Sequence, residues 1–189
     1  MIENKKSNSM IRVISYPNVF TPEECNKITS LKGLNLQESS VYIQNKVQGL
    51  APSSYPNAKD ITPTKETQWI EKRIEHILET VNNSYFKFDI RCMSGLRINK
   101  YEKGSYFDWH VDMSNIKDGS LRKLTLLVML SKRDSYKGGD LRWWGVNNNI
   151  NDEQGSVIVF PSYMLHSVTH LLEGLRYSIV CMAMGPSFV

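Results

Sequence analysis

The feature that most constrains the fold is a change in the spacing of apolar residues near position 84. Before it, apolar residues between positions 65 and 82 recur every three or four residues, which is the spacing of one face of a helix. After it they alternate with polar residues, as along a strand with one buried face. The chain is therefore predicted to form helices first and a β-rich core afterwards. The helical pattern consists of Ile70, Ile74, Ile77, Leu78 and Val81, and the alternating pattern of Phe86, Phe88, Ile90, Leu96 and Ile98.

Two helices are predicted before the change. The first begins at Thr21, because its hydroxyl can cap the helix, Pro22 suits the first helical position, and Glu24 can reach back to the cap. Its apolar side is expected to contain Cys25, Ile28 and Leu31. The second helix, from Lys65 to Asn82, must cover a sheet with its apolar face.

Strands are predicted where short apolar or alternating runs are bounded by glycine, proline or asparagine. Helices followed by many short strands favour a barrel or a two-sheet jelly roll with the helices packed on one sheet. We therefore predict a mainly β chain with flanking helices, made of a flexible polar tail and a single domain with core strands over about 86–183. The tail covers residues 1–10 and the domain residues 11–189, and the predicted strands are 10–15, 41–47, 86–90, 96–99, 106–112, 121–130, 140–144, 156–160, 165–169 and 175–182.

Composition excludes several classes of protein. No stretch approaches the roughly 18 apolar residues of a membrane-spanning helix, and the polar start of the chain lacks the apolar middle of a secretory signal, so a cytoplasmic location is expected. The formal charge of +4 is scattered along the chain, so no nucleic-acid partner is expected. Cys25, Cys92 and Cys181 form no CxxC pair and are expected to be reduced thiols.

Two histidines and one aspartate are candidate metal ligands. His110 and Asp112 lie two apart in a predicted strand, which puts both side chains on one face, roughly 6.6 Å apart along the strand. His166 opens another strand after a turn and can supply a third ligand. Two imidazoles and one carboxylate leave open positions on iron(II), enough for a bidentate cosubstrate and dioxygen. The alternative for the His-x-Asp pair alone is a surface histidine beside an acid.

An arginine lies inside an apolar strand ten residues after His166. Burying the charge of Arg176 alone costs several kcal/mol, so this side chain needs an anionic partner. A dicarboxylate cosubstrate could provide one through two parallel hydrogen bonds, and the hydroxyl of Ser178 on the same face could add another. The alternative is an internal salt bridge to an aspartate or glutamate.

The order of these motifs resembles the 2-oxoglutarate and iron(II)-dependent dioxygenase superfamily, in its prolyl 4-hydroxylase-like branch, and especially the small PKHD-type hydroxylases. The resemblance covers about Phe88 to Ala183. It departs from close relatives at His170, where they usually carry proline, and in a shorter helical region before Phe88. The matching segments are residues 96–106, the pair His110 and Asp112, and residues 124–131, 136–141, 166–169 and 174–176.

The resemblance implies a double-stranded β-helix, a jelly roll of the cupin-like kind, and a set of site residues. It implies that iron(II) is held by His110, Asp112 and His166, and that Arg176 binds the distal carboxylate of 2-oxoglutarate. Tyr101 corresponds to a family tyrosine near this cosubstrate. Ascorbate is the expected reductant of the iron.

The same resemblance implies hydroxylation of an unactivated C–H, with release of succinate and carbon dioxide, on a prolyl residue of a protein or peptide. A free amino acid or small natural product is the alternative substrate, and the loop-rich segment over residues 32–62 would decide between a groove and a pocket. A third hypothesis is a non-catalytic cupin-like module that binds metal. The aromatic residues near the predicted mouth are expected either to pack the barrel or to contact substrate: Tyr106, Trp109, Trp143 and Trp144.

Overall fold

The computed structural model of the protein describes residues 12–31, 56–116, 119–146 and 150–188. Within these ranges the chain is mainly β, as predicted. The elements are β1 (Ile14–Tyr16), α1 (Pro22–Thr29), β2 (Asn57–Asp60), α2 (Gln68–Val81), a π-helical turn (Asn82–Phe86), β3 (Cys92–Met93), β4 (Arg97–Tyr101), β5 (Phe107–His110), β6 (Leu121–Met129), a 3-10 turn (Arg133–Ser135), β7 (Tyr136–Gly138), β8 (Leu141–Trp143), β9 (Val157–Pro161), β10 (His166–Val168), β11 (Leu171–Gly174) and β12 (Arg176–Gly185).

The strands form one large sheet and two small ones, and the pairs between them are antiparallel. The large sheet has the order β1-β9-β6-β12-β4-β2, with β3 paired to β12. A three-stranded sheet has the order β5-β10-β8, and β7 pairs with β11. The large sheet forms one layer, and the two small sheets together form the layer that faces it. This arrangement is the two-sheet jelly roll expected from the sequence.

The large sheet separates two hydrophobic cores. Along β6, Leu124, Leu126 and Val128 point to the helices, whereas Leu127 and Met129 point to the small sheets. This split follows from the alternation of side chains along a strand. The helix-side core includes the apolar faces of α1 and α2, and the second core surrounds the candidate site described below.

Helix α1 begins as the sequence predicts. The hydroxyl of Thr21 accepts a hydrogen bond from the backbone N–H of Glu24, and the Glu24 carboxylate accepts one from the N–H of Thr21. Arg73 of α2 then donates two hydrogen bonds, at 2.6 and 2.9 Å, to the same carboxylate. Its guanidinium also lies over the rings of Phe20 and Trp69. One glutamate therefore caps α1 and ties it to α2.

Helix α2 is shorter than predicted at its beginning. A turn stabilised by the Thr67 hydroxyl, which accepts a hydrogen bond from the N–H of Thr64 at 2.8 Å, precedes the helix, and the helix begins at Gln68. Its apolar face is buried as predicted.

The prediction of a strand over residues 86–90 was wrong. The chain forms the π-helical turn there instead, and Lys87 then adopts a φ of 56°. The Asn82 side chain bonds both the N–H and the C=O of Phe88, each at 2.9 Å, so a local side-chain contact replaces strand pairing. Phe88 and Ile90 still pack on the helix-side core, which explains their alternating pattern.

Four short strands were not predicted, namely β2, β3, β7 and β11. Each has at most four residues, and β2 has the sequence Asn-Ala-Lys-Asp, which carries no apolar alternation. Their backbones pair because neighbouring strands are already in place. The predicted tail over residues 1–10 and the predicted strand over residues 41–47 lie outside the described residues. None of the helices in the described ranges is long and apolar enough to cross a membrane.

We expect Glu24→Gln to destabilise the protein by about 1 kcal/mol near pH 7, because the cap contact survives but the ion pair with Arg73 is lost. The hydrogen bond from Arg73 holds the pKa of Glu24 below its ordinary value, against a smaller opposing effect of burial. This stabilisation is present above pH about 4.5 and is lost as the pH falls and Glu24 is protonated in the folded state. Urea unfolding of both proteins near pH 7 and pH 3 measures the difference.

Glu75→Gln, at an exposed position of α2, is the matched control and should have little effect at either pH. A destabilisation of Glu24→Gln that is equally large near pH 3 would contradict this explanation.

Candidate metal centre and anion pocket

A β-bulge in β5 turns His110 into the second core. In the pairing of β5 with β10, His110 lies opposite His166 and Phe107 lies opposite Val168, so three steps along β5 match two along β10. The extra residue makes both Phe107 and His110 face inward and leaves Trp109 exposed. The bulge thus brings the rings of His110 and His166 to a centroid distance of 4.2 Å.

Asp112 lies beyond the end of β5, and its neighbours orient it. The N–H groups of Asp112 and Met113 both donate to the carbonyl of Ser162, at 2.9 and 2.8 Å. The hydroxyl of Thr125 donates to Asp112 Oδ2 at 2.8 Å and lies 3.0 Å from the Ser162 hydroxyl. Thr125 and Ser162 are fully buried, so the carboxylate is held by β6 and by the residue that follows β9, both in the interior of the protein.

The three side chains meet around one point. His110 Nε2 lies 3.5 Å from Asp112 Oδ1, and His166 Nε2 lies 3.4 Å from Asp112 Oδ2. One candidate ligand atom from each residue lies within 4.8 Å of the others. Both Nδ1 atoms face backbone carbonyls, of Asp108 at 2.7 Å and Met164 at 2.9 Å. Because a carbonyl only accepts, each Nδ1 carries the proton and each Nε2 offers a lone pair to the shared point.

The electrostatics of the site keep the carboxylate ionised. Burial acts to raise the pKa of Asp112, but the contacts with the imidazoles of His110 and His166 and the hydrogen bond from the Thr125 hydroxyl together lower it below its ordinary value. Burial lowers the pKa of His166, and the charge of Asp112 only partly opposes this. An ionised carboxylate beside a neutral imidazole is the protonation state in which these groups bind a metal.

The donor set fits a divalent first-row transition metal. Ligands about 2.1 Å from a metal and at right angles lie about 3 Å apart, close to the separations observed between Asp112 and the two imidazoles. Two imidazoles and one carboxylate on one side of a metal are typical of non-heme iron(II) sites. Across the described ranges, no other group of three such side chains comes together.

Arg176 is the other unusual feature of the second core. It is 1% exposed, and its Nε and Nη1 atoms have no hydrogen-bond partner in the described part of the chain. Nη2 lies 3.9 Å from the Met129 sulfur, a weak acceptor, and the guanidinium lies 4.8 Å from the centre of the Tyr101 ring. No described aspartate or glutamate pairs with Arg176, so the salt-bridge alternative was wrong for these residues. A buried guanidinium without a counter-ion is a candidate binding site for an anion.

The structure brings Tyr101 to Arg176 and sets Ser178 on the same face. Tyr101 and Arg176 are opposite residues in the pairing of β4 with β12. Burial raises the pKa of Tyr101, against the opposing charge of Arg176, so its hydroxyl stays protonated. Ser178 is buried two residues further along β12, on the side that faces the second core.

The glycine pair before β8 makes room for Arg176. Gly138 and Gly139 have φ values of 71° and 64°, a backbone conformation that favours glycine. A Cβ atom at Gly139 would lie 2.9 Å from Leu171 Cδ1 and 3.1 Å from Arg176 Cδ. Only glycine therefore fits both the backbone conformation and the space.

The structure separates the four aromatic residues near the predicted mouth. Trp143 is buried and packs edge-to-face on Phe160, so it belongs to the second core. Trp109 and Trp144 are exposed and contact each other edge-to-face at 5.7 Å. Tyr106 stacks on the exposed His170 at 4.2 Å.

The sequence did not reveal Thr125 and Ser162, which orient Asp112, or Tyr136, which lies beside Arg176. Thr125 carried a usable signal, because it is the one polar residue in the apolar run from Leu124 to Leu130. Ser162 lies in the turn after β9, and nothing in the sequence around it indicated a role in the site. Tyr136 immediately precedes the Lys-Gly-Gly turn, and its position beside Arg176 depends on the pairing of β7 with β11.

We expect Thr125→Val to weaken binding of a divalent metal by roughly 10- to 100-fold, because the carboxylate of Asp112 loses the hydrogen bond that orients it. Thr125→Ser keeps the hydroxyl and should stay near the wild-type affinity. Titration of the metal-free protein with Mn(II) or Co(II) measures both variants, and circular dichroism verifies that they fold. Equal affinities of the valine and serine variants would show that Thr125 does not position Asp112.

Comparison with known proteins identifies one matching sequence profile and several similar proteins. A sequence profile of the 2OG-Fe(II) oxygenase superfamily matches residues 96–183. A PKHD-type hydroxylase of Synechococcus sp. (strain CC9605) is 33% identical over 103 residues, 53% of this chain and 45% of that protein. A PKHD-type hydroxylase of Prochlorococcus marinus (strain MIT 9215) is 28% identical over 86% of this chain and 73% of that protein. The match thus spans less than half of the length of the Synechococcus relative.

Solved structures share the fold at low sequence identity. The viral collagen prolyl hydroxylase of Paramecium Bursaria Chlorella virus-1, in its 2OG complex, superimposes with a TM-score of 0.70 at 16% identity, over 93% of this chain and 96% of that chain. A prolyl hydroxylase from Trichoplax adhaerens, in complex with a hypoxia inducible factor peptide fragment, gives a TM-score of 0.69 at 16% identity, over 90% and 82% of the two chains. Both similarities concern the fold.

Proposed function

We propose that the chain is a member of the 2OG-Fe(II) oxygenase superfamily, whose profile matches residues 96–183, and that it is a 2-oxoglutarate- and iron(II)-dependent hydroxylase. In this proposal His110, Asp112 and His166 hold the iron, and Arg176, Tyr101 and Ser178 hold the cosubstrate. The observation that supports it most strongly is the buried guanidinium of Arg176, which has no counter-ion among the described residues and faces the core that contains the three metal ligands.

A metal-binding module without catalytic activity does not explain Arg176. Such a module needs the two histidines and the aspartate but has no use for a buried cation, whose desolvation costs several kcal/mol. A dicarboxylate cosubstrate that binds both the metal and the guanidinium accounts for both features. The proposal therefore favours the enzyme over the cupin-like module.

When bound, iron(II), 2-oxoglutarate and dioxygen supply the oxidising power to hydroxylate an unactivated C–H, with release of succinate and carbon dioxide. The protein's own residues position and protect. The carbonyls of Asp108 and Met164 fix the two imidazoles, and the hydroxyl of Thr125 fixes Asp112. Arg176 orients the cosubstrate by its distal carboxylate. Buried apolar side chains of the second core surround the site and exclude water from it: Leu127, Met129, Leu141, Trp143 and Phe160.

For the substrate we favour a prolyl residue of a protein or peptide. The structures with this fold include a collagen prolyl hydroxylase and a prolyl hydroxylase bound to a peptide fragment, which supports this choice by analogy. Ascorbate as the reductant and a cytoplasmic location belong to the same proposal. Succinate release with proline-containing peptides, compared with free amino acids, tests the substrate class, and stimulation by free amino acids alone would contradict it.

The test of the proposed site needs no substrate. Anaerobic addition of iron(II) and 2-oxoglutarate to the purified protein should produce the weak visible charge-transfer band of the chelate. His166→Ala and Arg176→Met should each lose the band at moderate cosubstrate concentration. His170→Ala, which removes an exposed histidine, is the control and should keep it. Persistence of the band in both site variants would contradict the assignment.

Arg176→Met also gives a prediction about stability. Because it replaces a buried, unpaired charge by an apolar side chain of similar length, the ligand-free variant should unfold at a temperature at least as high as the wild type. Saturating 2-oxoglutarate with Mn(II) should raise the unfolding temperature of the wild type beyond the effect of Mn(II) alone, and should fail to do so in the variant. Differential scanning calorimetry measures both. Equal stabilisation by 2-oxoglutarate would show that Arg176 does not bind it.

A further inference from the structure

Tyr136 is a buried polar residue beside Arg176 to which the proposed function assigns no part. Its side chain is 4% exposed, and its hydroxyl has no hydrogen-bond partner within the described ranges. Leaving a buried hydroxyl unpaired costs about 1 to 3 kcal/mol. A tyrosine in this state therefore indicates a partner that arrives with a ligand.

The position of Tyr136 follows from backbone pairing. Tyr136 is the first residue of β7 and lies opposite Gly174 of β11. Gly174 precedes Arg176 by two residues in the chain, so the pairing brings Tyr136 close to Arg176. The point where a Cβ atom of Gly139 would lie is 3.1 Å from Arg176 Cδ and 3.7 Å from Tyr136 Cε2, so the two side chains close over the same glycine. Burial raises the pKa of Tyr136, and the charge of Arg176 and a weak contact of its guanidinium with the phenol oxygen oppose this, so the hydroxyl stays protonated and its proton can be donated to a ligand.

The ring of Tyr136 is fixed from its other side. The guanidinium of Arg133 lies 4.8 Å from the ring centre, and Arg133 also bonds the carbonyl of Tyr136. Asp140 and Asp152 pair with Arg133, so this second guanidinium is neutralised and does not compete for an anion. A Cβ atom at Gly174 would lie 3.0 Å from Tyr136 Cβ, which shows how closely the strands pack here. The hydroxyl is therefore preorganised.

The pocket around Arg176 has more donors than acceptors. Nε and Nη1 of Arg176 and the hydroxyl of Tyr136 are all buried donors without partners, and the Met129 sulfur is the acceptor in contact with the guanidinium. A carboxylate brings two oxygens with about four lone-pair sites, which is enough for all three donors. A neutral ligand could not also balance the charge of Arg176.

We infer that Tyr136 is a ligand-binding residue whose hydroxyl donates a hydrogen bond to the distal carboxylate of the cosubstrate bound by Arg176. The inference rests on the proposed function, because it takes 2-oxoglutarate as the ligand. Its consequence is selectivity for dicarboxylates. A 2-oxo acid without the distal carboxylate leaves both the phenol and the guanidinium unpaired, and a site of this kind rejects such ligands strongly.

The test compares how two variants, one at Tyr136 of β7 and one at Tyr177 of β12, bind two ligands. Tyr136→Phe removes the inferred hydrogen bond, and Tyr177→Phe removes a hydroxyl next to Arg176 in sequence but on the helix side of the sheet. Calorimetric titration of the Mn(II)-loaded proteins measures binding of 2-oxoglutarate and of 2-oxopentanoate, which has the same chain length and no distal carboxylate. Neither measurement depends on turnover.

Tyr136→Phe should bind 2-oxoglutarate about 10- to 100-fold more weakly, since a hydrogen bond to a charged group is lost. Its affinity for 2-oxopentanoate should equal that of the wild type, and Tyr177→Phe should match the wild type for both ligands. The ligand-free Tyr136→Phe protein should unfold at the wild-type temperature or above it, because no hydrogen bond is lost in that state.

Two results would overturn the inference while the proposed function stands. One is unchanged affinity of Tyr136→Phe for 2-oxoglutarate when Arg176→Met has lost it. The other is an equal loss of affinity for both ligands, which would mean that Tyr136 only supports the fold of the pocket. Failure of the wild type itself to bind 2-oxoglutarate would instead contradict the proposed function and, with it, this inference.

Discussion

The guanidinium of Arg176 is buried without a counter-ion among the described residues, and the surrounding structure accommodates this one unfavourable charge. Its strand, β12, is paired on one side with β4 and on the other with β6, so the side chain cannot move to solvent without breaking the large sheet. Gly139 leaves space for it, and the ring of Tyr101 lies against it. The apolar side chains buried in the two hydrophobic cores stabilise the fold and offset the unfavourable free energy of burying this charge. An anionic ligand would remove that cost, which is why we propose that the pocket is a preorganised binding site.

The candidate metal centre is organised in the same way, by contacts made before any ligand is present. The bulge in β5 directs His110 inward, and β10 directs His166 from the neighbouring strand. Backbone carbonyls hold both imidazoles, and Thr125 holds Asp112 from the central strand β6. Since β6 also carries Met129 beside Arg176, one strand connects the metal centre to the anion pocket. Their spacing is therefore set by the rigid part of the fold.

Much of the fold could be predicted from the sequence, because it depends on spacing along the chain. The cap at Thr21, the apolar face of α2 and the long apolar runs of β6 and β12 are local signals, and the structure has these elements. The errors have local causes too. Asn82 competes with strand pairing through its side chain, and short polar strands such as β2 form only because a neighbouring strand offers its edge.

For the site, the chemistry of the candidate groups can be read from the amino-acid sequence: two imidazoles, one carboxylate, and a guanidinium in a strand so apolar that the charge needs a partner. These side chains are recognisable without coordinates because histidine, aspartate and arginine are costly to bury unless they bind something. Three other features are visible in the folded chain alone: Thr125 orients Asp112, a bulge turns His110 inward, and Tyr136 packs over Gly139 beside Arg176. Each of these depends on contacts between strands far apart in the chain, and such contacts are set by sheet register and packing, which leave no periodic pattern in a single sequence.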